Sequence, residues 1–173
     1  MNLSKTIIVM NGKGGVGKDT LCDSILPYYS TMNISAIEPI KELAMCGGWN
    51  GKKDDKSRKL LADLKQLFVA YNNLPTKYLK EHTDEFLNSS NEVLFVHIRE
   101  ADQIEEYKKS IAPNKCYTIL VRRDAVDTTH TYGNKADDNV NDYEYDFTFK
   151  NNMSIEESTA LFKQLIDVIT NLD

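Results

Sequence analysis

The sequence predicts a three-layer α/β fold, with a five-stranded parallel sheet and helices on both of its faces. Three observations predict it. Short apolar, β-branched runs alternate with segments whose apolar residues recur at helical spacing, as parallel strands joined by crossover helices require. The strand runs are apolar nearly throughout, as strands buried on both faces must be. Hydrophobic residues make up 41% of 173 residues, enough for one substantial core.

Residues 5–11 form the first buried strand, bounded by glycine, and 12–17 a glycine-rich turn. A helix over 18–29 carries Leu21, Ile25 and Leu26 on one face. A second strand over 34–38 stops at Pro39, which suits the first turn of a helix over 39–45. Gly47-Gly48 breaks that helix. Asp54 or Asp55 caps the next, where Leu60, Leu61, Leu64, Leu67 and Phe68 recur at helical spacing. A further helix spans 76–87, a third strand 92–98, a helix 102–110, a fourth strand 117–121 and a fifth 145–149. The last helix opens with Ser154 and Glu157 at capping-box spacing and shows Leu161, Leu165, Ile166 and Ile169 on one face. No repeat, linker or low-complexity tract divides the chain, so 1–173 reads as one domain. The polar stretch 122–142 has weak periodicity and reads as a lid-like loop.

The net charge is −5, which argues against a broad groove for long nucleic acid. Lys52, Lys53 and Lys56 mix with Asp54 and Asp55 and read as a solvated helix start. No apolar run approaches the roughly 18–20 residues that span a bilayer, and no signal-peptide cleavage site follows the first strand. Cys22, Cys46 and Cys116 are widely separated, with neither metal-ligand spacing nor a disulfide framework. These features lead to the expectation of a reducing cytoplasm. A homo-oligomer stays open.

Gly12, Lys13, Gly14, Gly15, Val16, Gly17 and Lys18 satisfy G-x-x-x-x-G-K, between a strand and a helix. Glycines let backbone N–H groups converge on a phosphate, and the helix start adds partial positive charge. Lys18 is placed to reach the β- and γ-phosphates. The pattern therefore predicts a P-loop NTPase fold, with ATP phosphates on residues 11–20 and Mg²⁺ beside them. The position after the lysine holds Asp19 where a hydroxyl residue is usual, and Thr20 follows. Asp19 and Thr20 are the candidate metal ligands. Two other roles for Asp19 are a base towards an acceptor and a helix cap.

Gly17-Lys18-Asp19 resembles the loop end of the phosphomevalonate kinase and phage deoxynucleoside monophosphate kinase group. Further matches follow in order: Glu38-Pro39-Ile40-Lys41-Glu42, the helix from Asp55 to Leu64 with Arg58, and Val96-His97-Ile98-Arg99. Ile119-Leu120-Val121-Arg122 and the segment from Tyr145 to Asn152 complete the series. The resemblance implies transfer of the γ-phosphoryl group of ATP to a small phosphorylated acceptor, most simply a nucleoside monophosphate. It implies acceptor-side helices over about 39–88 and a lid over about 122–142. One departure stands out: the group has Asp where this chain has His97, so either Asp19 or Glu100 takes that task or the catalysis is altered. His97 itself is a base or a packed core residue.

Phosphoryl transfer gathers negative charge, which arginine neutralises with bidentate geometry. Lys41, Arg58 and Arg99 are the candidate acceptor-binding residues, with Lys18, Asp19 and Arg99 as the catalytic set. Arg122 and Arg123 stand where the fourth strand enters the lid. Trp49 stacks on a base or packs on a helix, and Asn151-Asn152 touches adenine or makes a plain turn. Thr128, Thr129, His130, Asp137, Asp138 and Asp142 are polar loop residues of the presumed lid. Two other classes stay in view. Lys13 through Lys18 resembles the signature-lysine loop of ParA/MinD-type dimerising ATPases, and a kinase of a hydroxymethylated base in phage DNA would share the nucleotide site.

Overall fold

The computed structural model describes residues 5–127 and 140–172. In chain order the elements are β1 (Thr6–Asn11), α1 (Lys18–Ser24), β2 (Thr31–Ser35), α2 (Glu38–Cys46), α3 (Asp55–Asn72), α4 (Leu74–Asn88) and β3 (Val93–His97). Then come α5 (Ala101–Ser110), β4 (Tyr117–Arg122), a short α6 (Asp124–Asp127), a 3₁₀ turn (Val140–Asp142), β5 (Phe147–Lys150) and α7 (Ile155–Thr170).

All pairings in the five-stranded sheet are parallel, in the order β2-β3-β1-β4-β5. Every residue of β1 is buried, as befits the central strand. Its side chains alternate between two cores. Ile8 and Met10 pack with Leu21 and Cys22 of α1, with Ile25 just after it, and with Phe162, Ile166 and Ile169 of α7. Ile7 and Val9 pack with Leu79 and Phe86 of α4 and with Ile104 and Tyr107 of α5. Helices α2, α3 and α4 pack on one another. The three layers expected from the sequence are therefore present, and the carboxyl ends of β1, β3 and β4 lie side by side. Crevices at such strand ends are where ligands bind in open α/β sheets. Among the described residues, no helix is long and apolar enough to cross a membrane.

Several element boundaries differ from expectation. Helix α1 stops at Ser24 rather than continuing through 29, because Pro27 lacks an N–H and its ring opposes an upstream carbonyl. Tighter turns follow, with Leu26 N–H donating to Asp23 and Tyr28 N–H to Ile25, and Leu26 ends up exposed. Strand β2 lies three residues earlier than its apolar residues indicate. Its register against β3, from Thr31 opposite Val93 to Ser35 opposite His97, outweighs local pattern. The apolar stripe of α3 is the largest departure: Leu60 and Leu67 are exposed, whereas Ser57 and Lys65 are buried. Both expected caps are present. The Asp54 carboxylate accepts from the Ser57 N–H at 2.8 Å, a bond that lowers its pKa, and Ser154 and Glu157 form the full capping box.

Candidate active site at the carboxyl edge of the sheet

The loop between β1 and α1 adopts a conformation that its glycines permit. Gly12 has φ +143°, and a Cβ there would stand 2.3 Å from the Val121 carbonyl oxygen of β4. Gly17 has φ +90° at the start of α1, and a Cβ there would meet the Asn151 amide at 2.6 Å. Lys18 folds back over the loop, its Nζ donating to the Gly12 carbonyl at 2.6 Å and the Lys13 carbonyl at 3.1 Å. The ammonium therefore lies across the concave face of the loop, where a phosphate chain would be neutralised. Asn151 braces the same loop, its Nδ2 donating to the Val16 carbonyl at 2.8 Å. Its partner Asn152 holds Asp124, accepting from that residue's N–H at 2.9 Å and donating to its carboxylate at 2.8 Å. This pair therefore makes a bracing turn rather than a plain one.

Sequence reasoning missed the hub beneath the loop. Asn11 is fully buried at the end of β1. Its Oδ1 accepts from the Gly12 N–H at 2.7 Å, and its Nδ2 donates to the Arg99 carbonyl at 2.8 Å and to the Tyr145 hydroxyl at 2.6 Å. Tyr145 in turn donates to the Val140 carbonyl at 2.9 Å. Burial pushes the Tyr145 hydroxyl up to about 12, so it remains a protonated donor. One amide thus joins the phosphate loop, the segment after β3 and the end of the presumed lid. A polar residue closing an otherwise apolar strand was the available signal.

Asp19 lies exposed in the first turn of α1, whose cap is Gly17, so Asp19 does not cap the helix. His97 is the half-buried last residue of β3, with Nε2 3.5 Å from the Asn33 Oδ1. Burial pushes its imidazole down to about 4, reinforced by the positive charges of Lys18 and Arg99 and opposed by Asp19 and Glu38. His97 is therefore neutral at physiological pH. Glu100 is held by Lys65 of α3, with Nζ 2.5 Å from Oε2, in a largely buried pair. Asp19 stands in the first turn of α1, directly after the loop. Among the described residues, no group of three or more His, Cys, Asp or Glu side chains could hold a metal. Such a site does not suit a metal caged by protein, but it fits Mg²⁺ arriving with phosphates, which needs only one or two carboxylates.

The acceptor candidates are placed unequally. Arg99 lies two residues beyond β3 and is exposed. The bond from Asn11 holds its backbone to the loop region. Lys41, in the first turn or so of α2, pairs with Glu38 at 2.8 Å. Arg58 is half-exposed on α3, 3.6 Å from Asp55. Lys65, seven positions beyond Arg58 on α3, is the missed cation that ties this helix to the end of β3. Arg122 closes β4, and Arg123 lines a cleft of about 180 Å³ together with Gly17, Thr20 and Asn151. The Trp49 ring N–H donates to the Lys52 carbonyl at 3.3 Å and serves a local turn. Thr128, Thr129, His130, Asp137 and Asp138 lie outside the described residues, while Asp142 falls in the 3₁₀ turn.

No known family model matches the chain, and no curated protein matches it in sequence. Solved structures do resemble it. The tunicamycin resistance protein of Deinococcus radiodurans is 13% identical, with a TM-score of 0.58 over 94% of this chain and 95% of that one. A gluconokinase from Sinorhizobium meliloti is 14% identical, with a TM-score of 0.54 over 99% and 97%. A sugar kinase from Janibacter is 11% identical, with a TM-score of 0.54 over 94% and 95%. At such identities the likeness is one of fold: the chain has the three-layer α/β P-loop NTPase fold.

Proposed function

We propose that the chain is an ATP-dependent phosphotransferase of the nucleoside/nucleotide kinase type, transferring the γ-phosphoryl group to a small anionic acceptor, a (deoxy)nucleoside monophosphate. The observation that carries the acceptor class is that, among the described residues, neither the acid nor the imidazole at the end of β3 is well suited to act as a base. Glu100 is paired with Lys65, and His97 is neutral with a strongly lowered pKa. A sugar or nucleoside hydroxyl would need a general base. A phosphate monoester, with a second pKa of about 6, already carries its nucleophilic charge at pH 7. An acceptor phosphate oxygen bonds to the γ-phosphorus, the bond to the β–γ bridging oxygen breaks, and ADP leaves. Lys18 offsets the charge that develops on the β- and γ-oxygens. Lys41, Arg58 and Arg99 gather the acceptor phosphate, and Arg122 and Arg123 serve the lid and nucleotide side. Mg²⁺, held by Asp19 and Thr20 when bound, would neutralise the phosphates.

The direct test is a transfer screen with ATP against nucleosides, nucleoside monophosphates, phosphomevalonate and DNA. Product with monophosphates alone is expected. Product on a hydroxyl acceptor would overturn the reading, and ATP-dependent dimerisation without transfer would favour the switch ATPase. Arg99→Lys is expected to raise the acceptor KM about tenfold while ATP affinity stays within twofold, because lysine keeps the charge but loses the bidentate fork. Steady-state kinetics with each substrate varied would reveal the opposite pattern if Arg99 served the nucleotide. For Asp19→Asn, calorimetry should show nucleotide binding weakened about tenfold with Mg²⁺ present and hardly changed without it. Equal weakening under both conditions would remove Asp19 from the metal site.

A further inference from the structure

Beside the phosphate loop lies the cleft of about 180 Å³, room for a planar heterocycle rather than a whole nucleotide. Gly17 and Thr20 form the wall nearest the loop, so a ligand in the cleft would be continuous with one on the loop. Met153 and Ile155 supply apolar surface, and Arg123 supplies a planar guanidinium suited to stacking on a ring. The chemistry of the lining is that of a nucleobase site.

One lining residue is out of place for a core position. Ser158 of α7 is only 3% exposed, and its hydroxyl has no hydrogen-bond partner. Its backbone N–H is satisfied by the Ser154 carbonyl at 2.9 Å, so the unmet group is the side chain alone. Two other polar neighbours in the cleft are engaged: Ser24 donates to the Leu21 carbonyl at 2.7 Å and Asn151 to the Val16 carbonyl at 2.8 Å. A buried hydroxyl without a partner is costly, and alanine at a helix-interior position would be better for the fold. A group that weakens the apo fold while lining a ligand-sized cleft points to a ligand that satisfies it.

We propose that Ser158 is a specificity-determining residue for the triphosphate, reading the 6-substituent of a purine base held in this cleft. The inference rests on the nucleotide-binding reading above. A hydroxyl both donates and accepts, so it can receive the adenine amine or donate to the guanine carbonyl. A purine with hydrogen at that position leaves the hydroxyl unpaired. Ser158 therefore favours substituted over unsubstituted purines and discriminates little between ATP and GTP.

The experiment measures Kd by calorimetry for ATP, purine riboside triphosphate and inorganic tripolyphosphate, with wild type and Ser158→Ala, alongside the melting temperature without ligand. Wild type is expected to bind ATP about tenfold tighter than purine riboside triphosphate, the worth of one hydrogen bond. In Ser158→Ala that difference should vanish through loss of ATP affinity, while the melting temperature holds or rises. Unchanged ATP affinity in the variant overturns the proposal and marks Ser158 as a structural orphan. Equal weakening of both nucleotides overturns it too, because packing rather than base reading has then changed. Should the variant fail to fold, the wild-type comparison still decides, since equal binding of the two nucleotides refutes a base-edge contact. Wild type binding all three ligands alike removes the base site but leaves the phosphate loop standing. Binding of none removes both.

Discussion

Replacing Lys18 by alanine is expected to lower ATP turnover about 10²–10³-fold, the cost of removing one preorganised charge from a developing oxyanion. The geometry supports an effect of that size. Lys18 follows Gly17 directly, and its Nζ lies across the loop on the carbonyls of Gly12 and Lys13. The fold should persist. Those two bonds contribute about 1 kcal/mol each. Turnover and a thermal melt measured on the same preparation separate the two effects. Turnover within threefold of wild type would remove Lys18 from the reaction. A melt lowered by tens of degrees would make it a structural residue instead.

Asn11→Asp should produce the largest loss of stability, about 3–5 kcal/mol at neutral pH. The two side chains have nearly the same shape, so packing is preserved and hydrogen bonding alone is altered. The carboxylate still accepts from Gly12 N–H but cannot donate to the Arg99 carbonyl. The Tyr145 hydroxyl could turn to it only by leaving Val140. A fully buried charge then faces a carbonyl oxygen, and leaving such a charge uncompensated costs several kcal/mol. The pH dependence has a definite sign. Burial raises the pKa of the new carboxyl above its unfolded value of about 4. The deficit is therefore smallest below that value and grows as pH rises through the folded-state pKa. Denaturant midpoints at acidic and neutral pH check this, and identical midpoints for variant and wild type at pH 7 would show that the hub contributes nothing. Turnover should fall as well, because the hub sets the phosphate loop and the Arg99 segment in one register.

What could be read from the chain was what local chemistry specifies. Glycines at 12 and 17 with lysine at 18 spell a loop whose backbone must approach a phosphate, and the structure shows why a Cβ would not fit at either glycine. Asp54, Ser154 and Glu157 cap their helices because a cap depends on residues three positions apart. The apolar runs of β1, β3 and β4 mark strands buried on both faces, which is enough for a parallel sheet covered by helices. Tertiary structure decided the rest, since those outcomes depend on partners far away in sequence. Parallel pairing with β3 placed β2, overriding the apolar pattern of residues 34–38. The depth of the end of β3 made His97 a neutral imidazole. The approach of α3 to that same end buried Lys65 against Glu100, 35 positions away, and left Leu60 and Leu67 exposed. The joining of Asn11 to Arg99 and Tyr145 spans 88 and 134 positions. Hydrophobic periodicity records which face of a segment can be buried, but only the packed chain determines which polar group meets which, because each such meeting requires two backbones to arrive together.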